Sequence, residues 1–376
     1  MLEQFLEAKP LYYDEIDYTR MPRVYESIEH SLKIPKIIHI IGTNGKGTTG
    51  RFLAQALFNI GFNVGHYTSP HILEFNERIW LNGFSVYNEL LEDAHTELQK
   101  LLPVEQSDSL SYFEYTTLLA IIIYKDCEYI VLEAGLGGVN DATAVFPKIL
   151  TLVTPIAKDH EAFLGDTLEE IATTKLRAVQ KTAILGLQKD EVYTIASSTC
   201  REVFRVEELL GKNDLNNINI ISKDLKLENY LEQNLSLVIS ALNFLKIKYK
   251  TTNFKDARLF GRLSKIAKNI IVDVGHNALA ASSIVSALSG NKYTIIYNSY
   301  KDKDYKEILS IIKPIALHVE IIAVDDKRVE SETIMNNVLD NLNIEHRKFK
   351  KINAENNYLV FGSFSVVEAF LKEYNE

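Results

Sequence analysis

Cysteine is nearly absent from this chain: Cys127 and Cys200 are the only two among 376 residues. They lie far apart and match no metal-binding or redox spacing. A disulfide scaffold and a cysteine-based metal module are therefore excluded, and both read as buried free thiols in a reducing compartment. Long apolar runs are missing too. None approaches the ~18 residues needed to span a bilayer, and the acidic first residues carry no apolar signal core. The expectation is a soluble, cytoplasmic protein without a membrane partner. Positive charge is in the minority, 41 Lys and Arg against 50 Asp and Glu, for a formal net charge of −9. That excludes a general nucleic-acid binder and confines any phosphate contact to a local site. Internal repeats and low-complexity tracts are absent as well.

What is present is an ordinary globular composition, 46% hydrophobic and 24% charged, with length enough for two domains. The organising stretch is Ile37-Ile38-His39-Ile40-Ile41 followed by Gly42-Thr43-Asn44-Gly45-Lys46-Gly47-Thr48. The first five residues, mostly apolar and β-branched, predict a buried strand. A glycine turn follows, and residues 51–58 predict a helix. Strand, glycine-rich turn and helix form a phosphate-binding loop. Glycines let backbone amides converge on phosphate oxygens, the helix N-terminus adds partial positive charge, and Lys46 adds a full one. The plainer alternative, a βα turn with incidental glycines, leaves Lys46 and Thr48 unexplained. Gly47 separates those two residues, a departure from the usual spacing that narrows the families.

Strands are predicted at 63–67, 129–132, 149–153 and 181–185, and helices at 86–101, 112–124, 167–177 and 230–247. Thr167 is expected to cap its helix, with Glu170 at the capping-box position. Residues 1–36 read as an irregular or helical lead-in, and 186–228 resist assignment. A second alternation follows, with strands at 269–273, 293–297, 319–324 and 358–361 and helices at 278–288, 304–312, 331–342 and 365–374. Alternating strands and helices imply mostly parallel sheets with right-handed crossovers. The expected fold is α/β: a first domain over 1–253, a linker over 254–262 and a smaller second domain over 263–376.

Ligands bind at the carboxyl ends of strands in open parallel sheets, and the unusual polar residues recur there. Gly42, Thr68-Ser69, Glu133 and Thr154 each follow an apolar run, and Asp273 opens the second domain's first turn. Glu133 reads either as a solvated strand end or as an oxygen ligand for Mg²⁺ beside phosphates, with Gly135, Gly137 and Gly138 shaping a loop for close approach. His160 lies soon after a strand and is either a structural histidine or a site residue. Ser69 alone would be a turn serine, and Lys175 alone a solvated helix lysine. Arg262 reads as a linker residue or as a phosphate contact, since its guanidinium fork suits anionic oxygens. Asp273 would open an N-capping turn or accept from ribose hydroxyls.

One ordered set of motifs spans the chain. It comprises the loop 42–48, Tyr67-Thr68-Ser69-Pro70-His71, Tyr112-Phe113-Glu114, Glu133 through Gly138, and Asp141-Ala142-Thr143. Asp159-His160, Ile171-Ala172 with Lys175, Asn234, Gly261-Arg262, Asp273 through Asn277, Lys301 through Asp304 and Gly362-Ser363 complete it. This set resembles the bacterial bifunctional folylpolyglutamate synthase and dihydrofolate synthase ligases, relatives of the muramyl-peptide ligases. The resemblance implies a P-loop NTPase-like domain and a Rossmann-like C-terminal domain, with ATP as co-substrate between them. It implies ATP contacts from Gly42, Thr43, Asn44, Gly45, Lys46, Gly47, Thr48, Asn234, Arg262, Asp273 and His276. One or two Mg²⁺ ions would be held by Ser69, Glu133 and His160. Lys46, His160 and Lys175 would be catalytic, with Lys175 matching a carbamylated lysine. Pteroate or folate would lie near Tyr18, Thr19 and Arg20, near Ser111, Tyr112, Phe113 and Glu114, and near Asn140, Asp141 and Ala142. Departures from the family's pattern fall at Val139-Asn140, Ala144, Thr174 and Leu176-Arg177. The implied activity is ATP-dependent addition of L-glutamate to dihydropteroate, to folate γ-carboxylates or to both, through an acyl phosphate, by a monomer. Other readings are a muramyl-peptide-type amino-acid ligase, a P-loop GTPase or kinase-like switch, and a nucleotide-binding protein without ligase activity. The absence of an Asn-Lys-x-Asp guanine motif counts against the switch.

Overall fold

A computed structural model describes residues 1–10 and 17–375. The stretch 11–16 of the predicted lead-in lies outside the described residues. The chain forms two compact units, Met1–Arg258 and Leu259–Glu376.

The first unit is built on an eight-stranded sheet. Its strands are β1 (Lys36–Ile41), β2 (Val64–Tyr67), β3 (Ile79–Leu81), β4 (Phe84–Ser85), β5 (Tyr129–Glu133), β6 (Leu150–Val153), β7 (Thr182–Leu185) and β8 (Glu202–Arg205). The order is β4-β3-β2-β5-β1-β6-β7-β8, with β2 through β8 in that order parallel and β3 antiparallel to both of its neighbours, β2 and β4. The central strands are near-continuous apolar runs because helices cover both faces. Helices Lys46–Ile60 and Asn229–Phe244 pack Phe52, Leu53, Leu57, Leu235, Val238 and Leu242 with Ile38 and Ile40 on one face. Helices Asn88–Leu101 and Tyr112–Ile123 pack Leu91, Leu98, Leu118, Leu119 and Ile122 with Ile37 and Leu132 on the other.

The second unit holds a six-stranded sheet of order β13-β12-β11-β14-β10-β9. Its strands are β9 (Ser264–Ala267), β10 (Ile270–Asp273), β11 (Tyr293–Tyr297), β12 (Ala316–Ile321), β13 (His346–Lys348) and β14 (Tyr358–Phe361). Only β9 is antiparallel to its neighbour. The α/β class with two parallel-dominated sheets is as expected from the alternation.

Several boundaries differ from expectation. The helix predicted from residue 51 starts at Lys46, because Gly45 in a left-handed conformation turns the chain directly into it. The strand expected at 319–324 lies at Ala316–Ile321; its ladder with β11 ends at Tyr297↔Ile321, and the apolar residues beyond run on outside it. The unassigned stretch 186–228 contains helices Asp190–Thr199, Val206–Leu209 and Lys212–Leu225 besides β8. The Thr167–Glu170 capping box is present.

Candidate active site

Register alone gathers the polar strand ends. Ile40 pairs with Glu133, Tyr67 with Leu132 and Ile41 with Val153, so Gly42, Thr68-Ser69, Glu133 and Thr154 leave one edge of the sheet side by side. Gly42 (φ +139°) and Gly45 (φ +88°) adopt backbone that L side chains rarely enter. A Cβ on Gly42 would fall 2.1 Å from Thr154 Oγ1, and one on Gly45 would fall 2.6 Å from Asn234 Oδ1. Asn234, 190 positions downstream of Asn44, is thereby packed on the loop. Thr43 N–H donates to Pro155 O at 2.9 Å, and Thr43 Oγ1 donates to Ala157 O and accepts from Ala157 N–H, each at 3.0 Å. The loop is thus pinned to the chain leaving β6. Lys46 Nζ curls over the loop, 3.2 Å from both Gly42 O and Thr43 O.

Glu133 is 4% exposed. A buried carboxylate needs donors, and Thr68 Oγ1 and, at 3.3 Å, Ser69 N–H supply them to Oε2. Ser69 and Glu133 are therefore neighbours. His160 sits on the segment following β6, at a positive φ of +54°, where it precedes helix Glu161–Leu164 and its N–H donates to Asp159 Oδ1 at 2.9 Å. Thr48 Oγ1 is buried without a hydrogen-bond partner. Carboxylate and hydroxyl oxygens of this kind suit a hard divalent cation, and an orphaned hydroxyl at a helix start is a polar atom that bound metal or phosphate would satisfy.

Lys175 is not the solvated lysine its helix position suggests. It is 2% exposed. Its Nζ donates to Gly42 O at 3.1 Å and to Leu136 O at 2.5 Å, joining the phosphate loop to the glycine-rich loop after β5. Burial, with Lys46 nearby, pulls its pKa down to about 7.

The three segments expected near a pterin substrate are linked in space. Arg20 pairs with Glu114 at 2.8 Å, while Glu114 also closes a capping box with Ser111. Phe113 lies against the next loop, since a Cβ on Gly135 would sit 2.9 Å from its ring. Gly137 N–H in that loop donates to Asp141 Oδ2 at 2.9 Å. Ala142 is buried, whereas Asn140, Tyr18 and Thr19 are exposed. Tyr112 carries the Arg78 guanidinium 5.2 Å over its ring, and Arg78 Nε donates to His71 Nδ1 at 2.7 Å. Burial and Arg78 lower the His71 pKa to about 4, which keeps that nitrogen an acceptor.

In the second unit, Asp273 is buried and accepts from Leu263 N–H and Gly275 N–H, both at 2.8 Å. Arg262 NH1 donates to Gly261 O at 3.0 Å, and its guanidinium lies 5.3 Å from the Phe364 ring centre. His276 Nδ1 is 3.2 Å from Val274 O.

No family model matches the chain. Individual proteins do. The dihydrofolate synthase/folylpolyglutamate synthase of Buchnera aphidicola subsp. Acyrthosiphon pisum is 30% identical over 372 residues, covering 89% of this chain and 88% of that protein. The crystal structure of Helicobacter pylori folylpolyglutamate synthetase is 37% identical at a TM-score of 0.79, covering 100% of this chain and 98% of the other. The chain belongs to the folylpolyglutamate synthase/dihydrofolate synthase family. A Yersinia pestis bifunctional folylpolyglutamate synthase/dihydrofolate synthase, solved complexed with AMPPNP and Mn ion, shares the fold at 22% identity and a TM-score of 0.81, covering 100% of this chain and 97% of that one.

Within this folylpolyglutamate synthase-type chain, the roles of three residues are not legible from the sequence. Gln188, just past β7, hydrogen-bonds the chain leaving β6. His39 points from the middle of β1 to Thr143. Thr68, rather than Ser69 alone, grips Glu133. Periodicity marks none of them, because each acts through side-chain hydrogen bonds to residues distant in sequence. Only for Thr68 does its place after a strand give a signal.

Proposed function

We propose that this chain is an ATP-dependent acid–amino-acid ligase that adds L-glutamate to dihydropteroate and to the γ-carboxylate of folates. What carries the reading is a phosphate loop and a buried carboxylate, Glu133, side by side at one sheet edge, on a chain of this family. A substrate carboxylate oxygen attacks the γ-phosphorus of ATP, the bond to the β,γ-bridging oxygen breaks, and ADP leaves an acyl phosphate. The glutamate amine then attacks the acyl carbon, phosphate departs with the C–O bonding pair, and the amine proton passes to solvent or base. Forming the mixed anhydride first divides one difficult step into two. Loop amides and Lys46 are placed to stabilise negative charge on the transferred group, so this chain's contribution is positioning and electrostatics.

A divalent cation on Ser69, Glu133 and His160, with Mg²⁺ the proposed ion, would neutralise phosphate charge. Lys175 is proposed to carry a carbamate. With a pKa of about 7, much of the amine is neutral near physiological pH. A neutral amine can offer its lone pair to CO₂: the N–C bond forms, one N–H proton passes to solvent or base, and the remaining N–H can still donate to one of the two carbonyls, Gly42 O or Leu136 O, that the amine now meets. Asn234 is proposed to contact the nucleotide, as are Arg262, Asp273 and His276 of the second unit. The pterin-bearing substrate is assigned to the linked segments around Arg20, Glu114 and Asp141. No helix among the described residues is long and apolar enough to cross a membrane, and a cytoplasmic monomer is the proposed working form.

The test is phosphate release from ATP with dihydropteroate or tetrahydrofolate, each with and without L-glutamate. Release that requires both acid and amino acid is expected. Release indifferent to the amino acid would point to a hydrolase or phosphotransferase, and release only with a nucleotide-linked sugar peptide would point to a muramyl-peptide ligase.

A further inference from the structure

A hydrogen-bonded chain runs from the middle of the central strand to the phosphate loop. His39 is completely buried on β1 between β5 and β6. Its Nε2 lies 2.8 Å from Thr143 Oγ1, and that hydroxyl lies 2.6 Å from Asp141 Oδ1. The hydroxyl has one hydrogen and the carboxylate can only accept, so the hydrogen points to Asp141. Nε2 must then carry the imidazole proton and donate to Thr143. Nδ1 is left as a buried lone pair without a partner. Burial, with Lys148 nearby, holds the ring neutral. Asp141 also accepts from Thr143 N–H at 3.0 Å and, through Oδ2, from Gly137 N–H at 2.9 Å. The loop held in this way presents Leu136 O to Lys175 Nζ, whose other acceptor is Gly42 O.

We propose that His39 and Thr143 are positioning residues of this site: through Asp141 they fix the glycine-rich loop that seats the Lys175 amine against the phosphate loop. An aliphatic side chain would fill a fully buried strand position without stranding a ring nitrogen. The imidazole at this place supplies what an aliphatic cannot, an N–H donor that satisfies the buried Thr143 oxygen and so holds the hydroxyl in the orientation that gives its single hydrogen to Asp141. Neither His39 nor Thr143 needs to touch a substrate. The proposal rests on the ligase reading above for its kinetic consequence, but its structural content stands apart from it.

The experiment compares full-length wild type, Thr143→Val, Thr143→Ser and His39→Leu by glutamate-dependent phosphate release and by amide hydrogen exchange over residues 135–143. Thr143→Val keeps the volume and loses the donor, and kcat should fall by about tenfold to a hundredfold, the scale of small misplacements in an active site. KM for ATP should stay near wild type. Exchange at Gly137 should accelerate, and Thr143→Ser, which restores the hydroxyl, should recover both readouts. His39→Leu should reproduce Thr143→Val, and it carries the test if Thr143→Val does not fold. Unchanged exchange and turnover in the two hydroxyl- or imidazole-deficient variants would overturn the relay, as would a loss that Thr143→Ser fails to rescue. A wild-type protein without glutamate-dependent turnover would overturn the ligase reading instead, while the exchange measurement would still decide the relay.

Discussion

Replacing Gln188 by alanine removes a brace from the nucleotide loop without altering the loop. The Gln188 side chain makes three hydrogen bonds to the chain leaving β6: Nε2 donates to Thr154 O at 2.9 Å and Val153 O at 3.3 Å, and Oε1 accepts from Ile156 N–H at 2.9 Å. That segment holds the phosphate loop in turn, through Pro155 O, which accepts from Thr43 N–H at 2.9 Å and Asn44 N–H at 3.4 Å, and through Ala157. A net hydrogen bond contributes about 1 kcal/mol; one of these is long, and water can reach a half-buried side chain, so the brace contributes about 2 kcal/mol in all. If the whole of that appears as loop disorder, nucleotide affinity falls about 30-fold, at 1.4 kcal/mol per factor of ten. If it appears as global stability, the melting temperature falls by a few degrees with affinity preserved. Calorimetric titration with ADP beside thermal melts separates the two, and the former is expected. Gln188→Glu sharpens the test. Its carboxylate can still accept from Ile156 N–H but faces two carbonyl oxygens, so it should bind ADP more weakly than Gln188→Ala. Wild-type affinity and melting temperature in Gln188→Ala, or tighter binding by the glutamate variant, would refute the reasoning.

Lys46→Ala should abolish turnover while leaving circular dichroism and the melting temperature near wild type, and near-normal kinetics would overturn the loop assignment. Gly45→Ala should weaken ADP binding: the left-handed backbone costs a side chain about 1–2 kcal/mol, and the new Cβ meets Asn234 Oδ1 at 2.6 Å. Adding Asn234→Ala should relieve the contact but not the φ strain, so calorimetry should show partial recovery. For Lys175, the folded pKa of about 7 lies below the usual 10.5. Between those values the unfolded chain binds the proton that the folded chain releases, so stability should rise as pH climbs from about 7 to 10.5 and be flat below. Chemical denaturation across that range, in bicarbonate-free buffer, should show the slope in wild type minus Lys175→Met; an unchanged slope in the variant would refute it. In bicarbonate, the intact mass of wild type but not of Lys175→Met should gain a carboxyl group; its absence, with full activity, would remove the carbamate from the mechanism.

The sequence made the phosphate loop legible because everything it needs is local. Apolar β-branched residues, glycines at the turn and a lysine at the helix start fall within one short stretch, and β1, Gly42, Gly45 and Lys46 stand where that stretch puts them. The alternation of apolar runs likewise yields both sheets, since a parallel strand buried on both faces advertises itself by composition. The hairpin β3–β4 lies outside the alternation of apolar runs, and its only local signal is the turn Asn82-Gly83, where both residues take positive φ. The braces are a different matter. Lys175 reaches Gly42 O across 133 positions and His39 reaches Thr143 across 104, each by a single bond. No period or spacing encodes such a bond, and a helix-face lysine or a strand histidine has the same local pattern whether or not the bond exists.

That difference bears on how the site holds its shape. The loop after β1 is fixed by backbone conformation at two glycines, by the Thr43 bonds to the chain leaving β6, and by the Lys175 amine on Gly42 O. Gln188 stands behind the second of these, and His39 with Thr143 behind the third. The two supports share no side chain and approach from neighbouring loops on opposite sides of β1 in the sheet order. Their losses should therefore add on the free-energy scale, as independent sites do. A Gln188→Ala, Thr143→Val double variant should lower kcat/KM for ATP by the product of the two single factors, measured by glutamate-dependent phosphate release. A double variant no worse than the poorer single one would mean that the loop has a single point of failure, and that one of the two braces acts through the other.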